Sequence, residues 1–205
     1  MNTTKKLIIA VIALALALVG VIGGTIAFLV TTSNTVTNTF TYGGIAITLT
    51  ETKGTVNGDV REFGKVVPGA KIEKDPTVTV VADSEKCYVY VKVVNNVVLD
   101  GNTIVTCDVD EANWKLIGSK KETDGSVVSL YKYVTFVEKS DTDTKLPELF
   151  KTVTFSTEFK LENVNTLDNI TNDIVITAYA HQYDNTTVDF ANTEAIAWAG
   201  VTEID

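Results

Sequence analysis

The chain has 205 residues, 17 Lys and Arg against 26 acids, and a net charge of −9. That balance speaks against a nucleic-acid binder, whose phosphate contacts need clustered cations, and it repels anionic lipid headgroups. Arg61 is the only arginine, which leaves no bidentate clamp for phosphate or carboxylate.

At the N-terminus Lys5 and Lys6 precede an apolar run from Leu7 to Val19, which Gly20, Gly23 and Gly24 then break. A positive start, an apolar stretch and small residues before a cut make a secretory signal, here a signal helix over residues 1–27. Thr25 and Ala27 fit the small −3 and −1 positions, so cleavage is expected between Ala27 and Phe28. The alternative is an uncleaved anchor, because apolar character continues to Val30. The glycines argue against it, since each weakens a helix by about 1 kcal/mol relative to Ala. Cleavage removes two lysines and no acid, so the charge moves from −9 to about −11. The remaining 28–205 is one domain's worth of chain.

Beyond the signal the sequence is rich in strand formers. Residues alternate at Ile45, Ile47 and Leu49, at Val78 and Val80, and at Val89, Val91 and Val93. The pattern returns at Val127 to Val137, at Val153 with Phe155, and at Ile174 to Tyr179. Turn chemistry separates these runs at Tyr42-Gly43-Gly44, Asn57-Gly58-Asp59, Val67-Pro68-Gly69, Asp100-Gly101-Asn102 and Asp124-Gly125-Ser126. The expected fold over 41–205 is all-β, a jelly-roll-like β-sandwich. One short helix is expected near the C-terminus, capped by Asp189, with Ala191, Ala195 and Trp198 on one face. Glu111 to Trp114 reads as a short helical turn, and Glu138 to Lys145 as an exposed polar loop.

Cys87 and Cys107 admit two readings. Outside the cytoplasm they can form one disulfide closing a loop of about twenty residues, worth about 3 kcal/mol. Otherwise Cys87, which begins a strand-like run, is a small buried apolar residue.

Particular residues then suggest a family: Gly23-Gly24-Thr25-Ile26-Ala27-Phe28 at the cleavage zone, Asn38-Thr39-Phe40, and the strand Ile45-Ala46-Ile47-Thr48-Leu49-Thr50. Val67-Pro68-Gly69-Ala70-Lys71-Ile72-Glu73-Lys74-Asp75 and Ala178-Tyr179-Ala180-His181-Gln182 follow in the same order. The chain resembles the TasA/camelysin family of exported bacterial proteins, which a SipW-type signal peptidase processes. The resemblance covers both ends and the first strands; residues 95–150 match by strand pattern alone. It implies a jelly-roll subunit of extracellular biofilm-matrix fibres, whose freed N-terminal segment fills a groove in the next subunit. Segment 28–40 suits that role, being uncharged and free of proline, with Phe28, Val30, Val36 and Phe40 set among Thr and Asn. Strand addition needs backbone groups and alternate side chains for pockets, and head-to-tail donation does not close on itself, so it yields filaments. The other reading is that 28–40 is a stub left by cleavage, or the chain's own first strand.

Camelysins have also been described as metalloproteases, but His181 is the only histidine. A zincin needs two histidines one helical turn apart, and three protein ligands are the norm at catalytic zinc. Nucleophilic catalysis by Ser or Cys would have to use the same imidazole. Asp108 with Asp110 and Asp141 with Asp143 are paired acids. Asp141-Thr142-Asp143-Thr144-Lys145 starts like a calcium loop, but it puts Lys145 where an oxygen ligand belongs. No catalytic residue, metal or cofactor is expected. The expected function is an exported, self-associating fibre subunit at the cell surface or in the matrix, touching membrane only through an uncleaved signal helix. The alternatives are a monomeric surface-binding domain, anchored or secreted, and a secreted metalloprotease.

Overall fold

Side chains that alternate between apolar and polar give a strand two chemically different faces, and the computed structural model consists mostly of such strands. It describes residues 44–57, 60–62, 67–158 and 173–204. The expected cleavage site at Ala27–Phe28 and the donor residues Phe28, Val30, Val36 and Phe40 lie outside the described residues. Described strands are β1 (Ile47–Thr50), β2 (Thr55–Asn57), β3 (Val60–Glu62), β4 (Lys71–Glu73), β5 (Thr77–Val80) and β6 (Cys87–Asn95). They continue with β7 (Val98–Leu99), β8 (Asn102–Thr103), β9 (Val105–Val109), β10 (Trp114–Lys121) and β11 (Val127–Tyr133). Then come β12 (Thr144–Lys145), β13 (Phe150–Phe155) and β14 (Ile174–Gln182), the helix α1 (Val188–Ala199), and β15 (Thr202–Glu203).

All described pairings are antiparallel. The largest sheet runs β14-β6-β11-β10-β15, and two three-stranded sheets run β1-β5-β12 and β4-β13-β9. Hairpins β2-β3 and β7-β8 stand apart from them. Strand β6 is central. Its register with β14 runs unbroken from Cys87↔Gln182 to Asn95↔Ile174, and its other edge pairs with β11.

The main core gathers Cys87, Val89, Val91 and Val93 of β6 with Ala178 and Ala180 of β14 and Trp114 of β10. The small sheets add Ile47, Val78, Val80, Val105, Phe150 and Val153 to the same cluster. Each such aliphatic or aromatic side chain removed from water stabilises the fold by about 1.5–3 kcal/mol. Trp114 is 1% exposed, and its indole N–H donates to the Pro147 carbonyl at 3.1 Å, which leaves no buried donor unpaired. Lys74 Nζ lies 3.1 Å from Glu51 and ties the end of β1 to the end of β4.

The second face of the large sheet is covered by α1. Ala191, Ala195 and Ala199 are its buried residues, small enough to let the helix settle on Tyr88, Tyr90 and Leu130. The expected cap Asp189 is corrected to Thr187, whose Oγ1 accepts from the Phe190 N–H at 3.2 Å. A cap reaches the N–H two or three residues ahead, so Asp189 falls within the first turn, where its charge complements the helix dipole. Gly200 ends the helix at φ 69°, a conformation that costs glycine little.

Of two further expectations, one holds and one is corrected. Glu111 to Trp114 forms the expected short turn: Asn113 and Trp114 N–H both bond the Asp110 carbonyl, and β10 begins at Trp114. The polar loop from Glu138 ends early, because Thr144 and Lys145 pair with Val80 and Thr79 as β12. Among the described residues no helix is long and apolar enough to cross a membrane.

Candidate functional site

Strand β1 begins at Ile47, seven positions after Phe40 closes the segment singled out in the sequence. It pairs with β5 through Thr48↔Thr79 and Thr50↔Thr77, and the Val81 N–H bonds the Ala46 carbonyl at 2.9 Å. Backbone groups alternate sides along an antiparallel strand, so those of Ile45, Ile47 and Leu49 turn away from β5. Among the described residues no strand pairs with that side. The side chains of Ile45 and Ile47 nevertheless enter the core and are 0% exposed. Ser84 fixes the approach: its Oγ accepts from the Ala46 N–H at 3.0 Å.

The paired acids hold backbone. Asp108 accepts from the Lys151 and Thr152 N–H groups, where β13 shifts register against β9. Asp110 accepts from Ala112 N–H and the Asn113 side chain, and Asp143 accepts from Ala82 N–H at 2.9 Å. Asp141 is exposed on its loop. Asp108 lies on β9 and Asp110 just after it, while Asp141 and Asp143 share the loop before β12. Among the described residues no three His, Cys, Asp or Glu side chains gather where a metal could be held.

Cys87 and Cys107 are free thiols in this structure, so the disulfide reading is not the one it adopts. They sit on β6 and β9, in different sheets. Burial pushes the Cys87 thiol up to about 12. It likewise lifts Cys107 to about 11, with Asp108 adding to the rise and Lys74 opposing it. Thiols held so far above neutral pH are poor nucleophiles.

His181 lies half-buried on β14. Its Nδ1 is 2.9 Å from the Gln182 carbonyl, and its ring packs edge-on against Phe190 at 5.9 Å. Around it the sheet carries a grouping the sequence reading missed. Lys86 Nζ lies 3.8 Å from the Phe136 ring and 4.0 Å from the Tyr183 ring, and it also pairs with Glu138 at 3.1 Å. Lys132 stands over Tyr88 at 5.1 Å, and Lys92 over Trp198 at 4.6 Å. Burial lowers the pKa of both Lys92 and Lys132. Tyr90 donates to Asn192 of α1 at 3.0 Å, and Tyr179 stacks on Trp198 at 5.0 Å. The signal was available: Tyr88, Tyr90 and Lys92 alternate with the valines that were read, and Tyr179 and His181 alternate with alanines.

No protein-family model matches the chain, and neither the curated proteins nor the solved structures yield a match.

Proposed function

We propose that the chain is an exported, non-enzymatic structural subunit of a bacterial cell-surface or biofilm-matrix fibre. In this reading the described sheets form a jelly-roll-like sandwich, and segment 28–40, freed by cleavage after Ala27, adds as a strand to a neighbouring copy. The observation that supports the reading is an open strand edge downstream of this segment in the sequence. An uncharged, proline-free segment with Phe28, Val30, Val36 and Phe40 leads into β1, whose outer side has no paired strand among the described residues.

Strand addition draws its affinity from backbone hydrogen bonds and its selectivity from alternate side chains. Ordinary monomers shield such edges with charge or proline, and Ile45-Ala46-Ile47-Thr48-Leu49-Thr50 carries neither. The resemblance to the TasA/camelysin family points the same way, through the cleavage zone at Gly23 to Phe28 and the turn at Val67 to Asp75. A SipW-type signal peptidase and further copies of the chain are the partners this implies.

The test is the mass and N-terminal sequence of protein recovered outside the cells, followed by sedimentation. The reading expects chains beginning at Phe28 that sediment as polymers. Chains retaining Lys5 and Lys6, or mature chains that stay monomeric at high concentration, overturn it.

A further inference from the structure

The Tyr183 N–H donates to the Lys86 carbonyl at 2.9 Å, which carries the pairing of β14 with β6 one step past Cys87↔Gln182. That bond sets Tyr183 opposite Lys86 and diagonal to Tyr88, on the same face of the sheet. The two tyrosine rings lie 5.2 Å apart at an interplanar angle of 39°. Burial raises the pKa of Tyr88, and the Tyr183 phenol adds to the rise while Lys86 opposes it, so the hydroxyl ends of the two rings lie near one another. Tyr88 is largely buried and Tyr183 is half-buried.

Among the described residues one other pair of tyrosines is in ring contact, Tyr90 with Tyr179 at 5.9 Å. Its members are committed elsewhere. Tyr90 is 0% exposed and gives its hydroxyl to Asn192, while Tyr179 is stacked on Trp198. The pair at Tyr88 and Tyr183 is the closer one, and it is the one solvent reaches through Tyr183.

We propose that Tyr88 and Tyr183 form an oxidative cross-linking site, at which hydrogen peroxide, acting through a peroxidase, joins the two rings as dityrosine. Each phenol gives up one electron and its proton. The peroxide takes both electrons and both protons and leaves as two waters. The two ring radicals combine through a new carbon–carbon bond ortho to the hydroxyls, and the hydrogen on each joined carbon moves to the ring's oxygen, which restores two phenols. Lys86 Nζ, 4.0 Å from the Tyr183 ring, disfavours positive charge beside it, so the proton leaves with the electron and the radical is neutral. The sheet holds both partners in place before either is oxidised, which favours coupling within one chain over encounter between chains. The inference rests on β6 and the end of β14 and stands whether or not segment 28–40 assembles fibres.

Dilute purified protein is treated with a haem peroxidase and hydrogen peroxide. The monomer fraction is then read by dityrosine fluorescence, intact mass and tandem mass spectrometry of its peptides. The expected product is a monomer lighter by two hydrogens, with Tyr88 joined to Tyr183. Tyr183→Phe should remove most of the monomer's dityrosine signal, and Tyr179→Phe should leave it at the wild-type level. Phenylalanine keeps the ring contacts with Tyr88 and Phe136, so the Tyr183→Phe variant loses the coupling chemistry and not the packing. A monomer without dityrosine, a link that maps to Tyr90 and Tyr179, or a wild-type yield from Tyr183→Phe overturns the proposal.

Discussion

The two faces of the five-stranded sheet are built from alternate residues of the same strands, yet they are chemically unlike. Toward the small sheets β6 presents Cys87, Val89, Val91 and Val93; toward the helix it presents Tyr88, Tyr90 and Lys92. The first face is aliphatic and closed by two other sheets. The second is aromatic and cationic, and a single alanine-faced helix covers it. A period of two lets one strand serve both purposes: the valine face supplies the main core, while the tyrosine face carries the rings against which α1 packs.

Substitutions on the two faces should separate these roles. The largest effect is expected on the closed face. Trp114→Ala removes a fully packed ring and its bond to Pro147, and should cost about 3–5 kcal/mol in urea unfolding. A loss below 1 kcal/mol would mean that this core is loosely packed. On the helix face, Ala195→Leu forces a branched side chain into the close approach between α1 and the sheet. It should cost about 1–3 kcal/mol by overpacking and raise the fluorescence of Trp198 while leaving Trp114 unchanged. Thr187→Ala removes the cap and should cost about 1 kcal/mol, read as a lowered thermal midpoint.

The smallest effect at neutral pH concerns Cys87. Its pKa of about 12 in the fold stands above the ~8.5 of a free thiol. A raised acid of this kind contributes stability that is whole below the unfolded value and fades as pH climbs toward the folded one. The stability difference between wild type and Cys87→Ala should therefore shrink in alkali above about pH 8.5. A thiol reagent should label neither cysteine in the native protein and both after unfolding. Absence of thiols after unfolding under non-reducing conditions would show a disulfide instead.

Much of the closed face was legible in sequence, because Ile45 to Leu49, Val78 to Val80 and Val89 to Val93 keep strict alternation. Strand β10 was not, since Trp114 to Lys121 mixes lysines with Gly118. That glycine answers a tertiary demand: a Cβ there would sit 2.5 Å from Val201 Cγ2, where the chain after α1 returns to pair with β10. The helix was legible from its alanines, but its cap was misplaced by two residues, as both Thr187 and Asp189 are chemically competent. The aromatic face escaped because its rings come from β6, β14, α1 and the segment after β11. Only the folded sheet brings Phe136 beside Tyr183 and Trp198 beside Tyr179.

The proposed fibre depends on the proposed export signal. In the proposed reading, cleavage after Ala27 frees segment 28–40 for a neighbouring copy, so export and assembly would be one event. Electron microscopy of purified protein beginning at Phe28, beside protein beginning at Thr41, tests this most directly. Filaments from the first and none from the second are the predicted result; monomers from the first, or filaments from both, would contradict it.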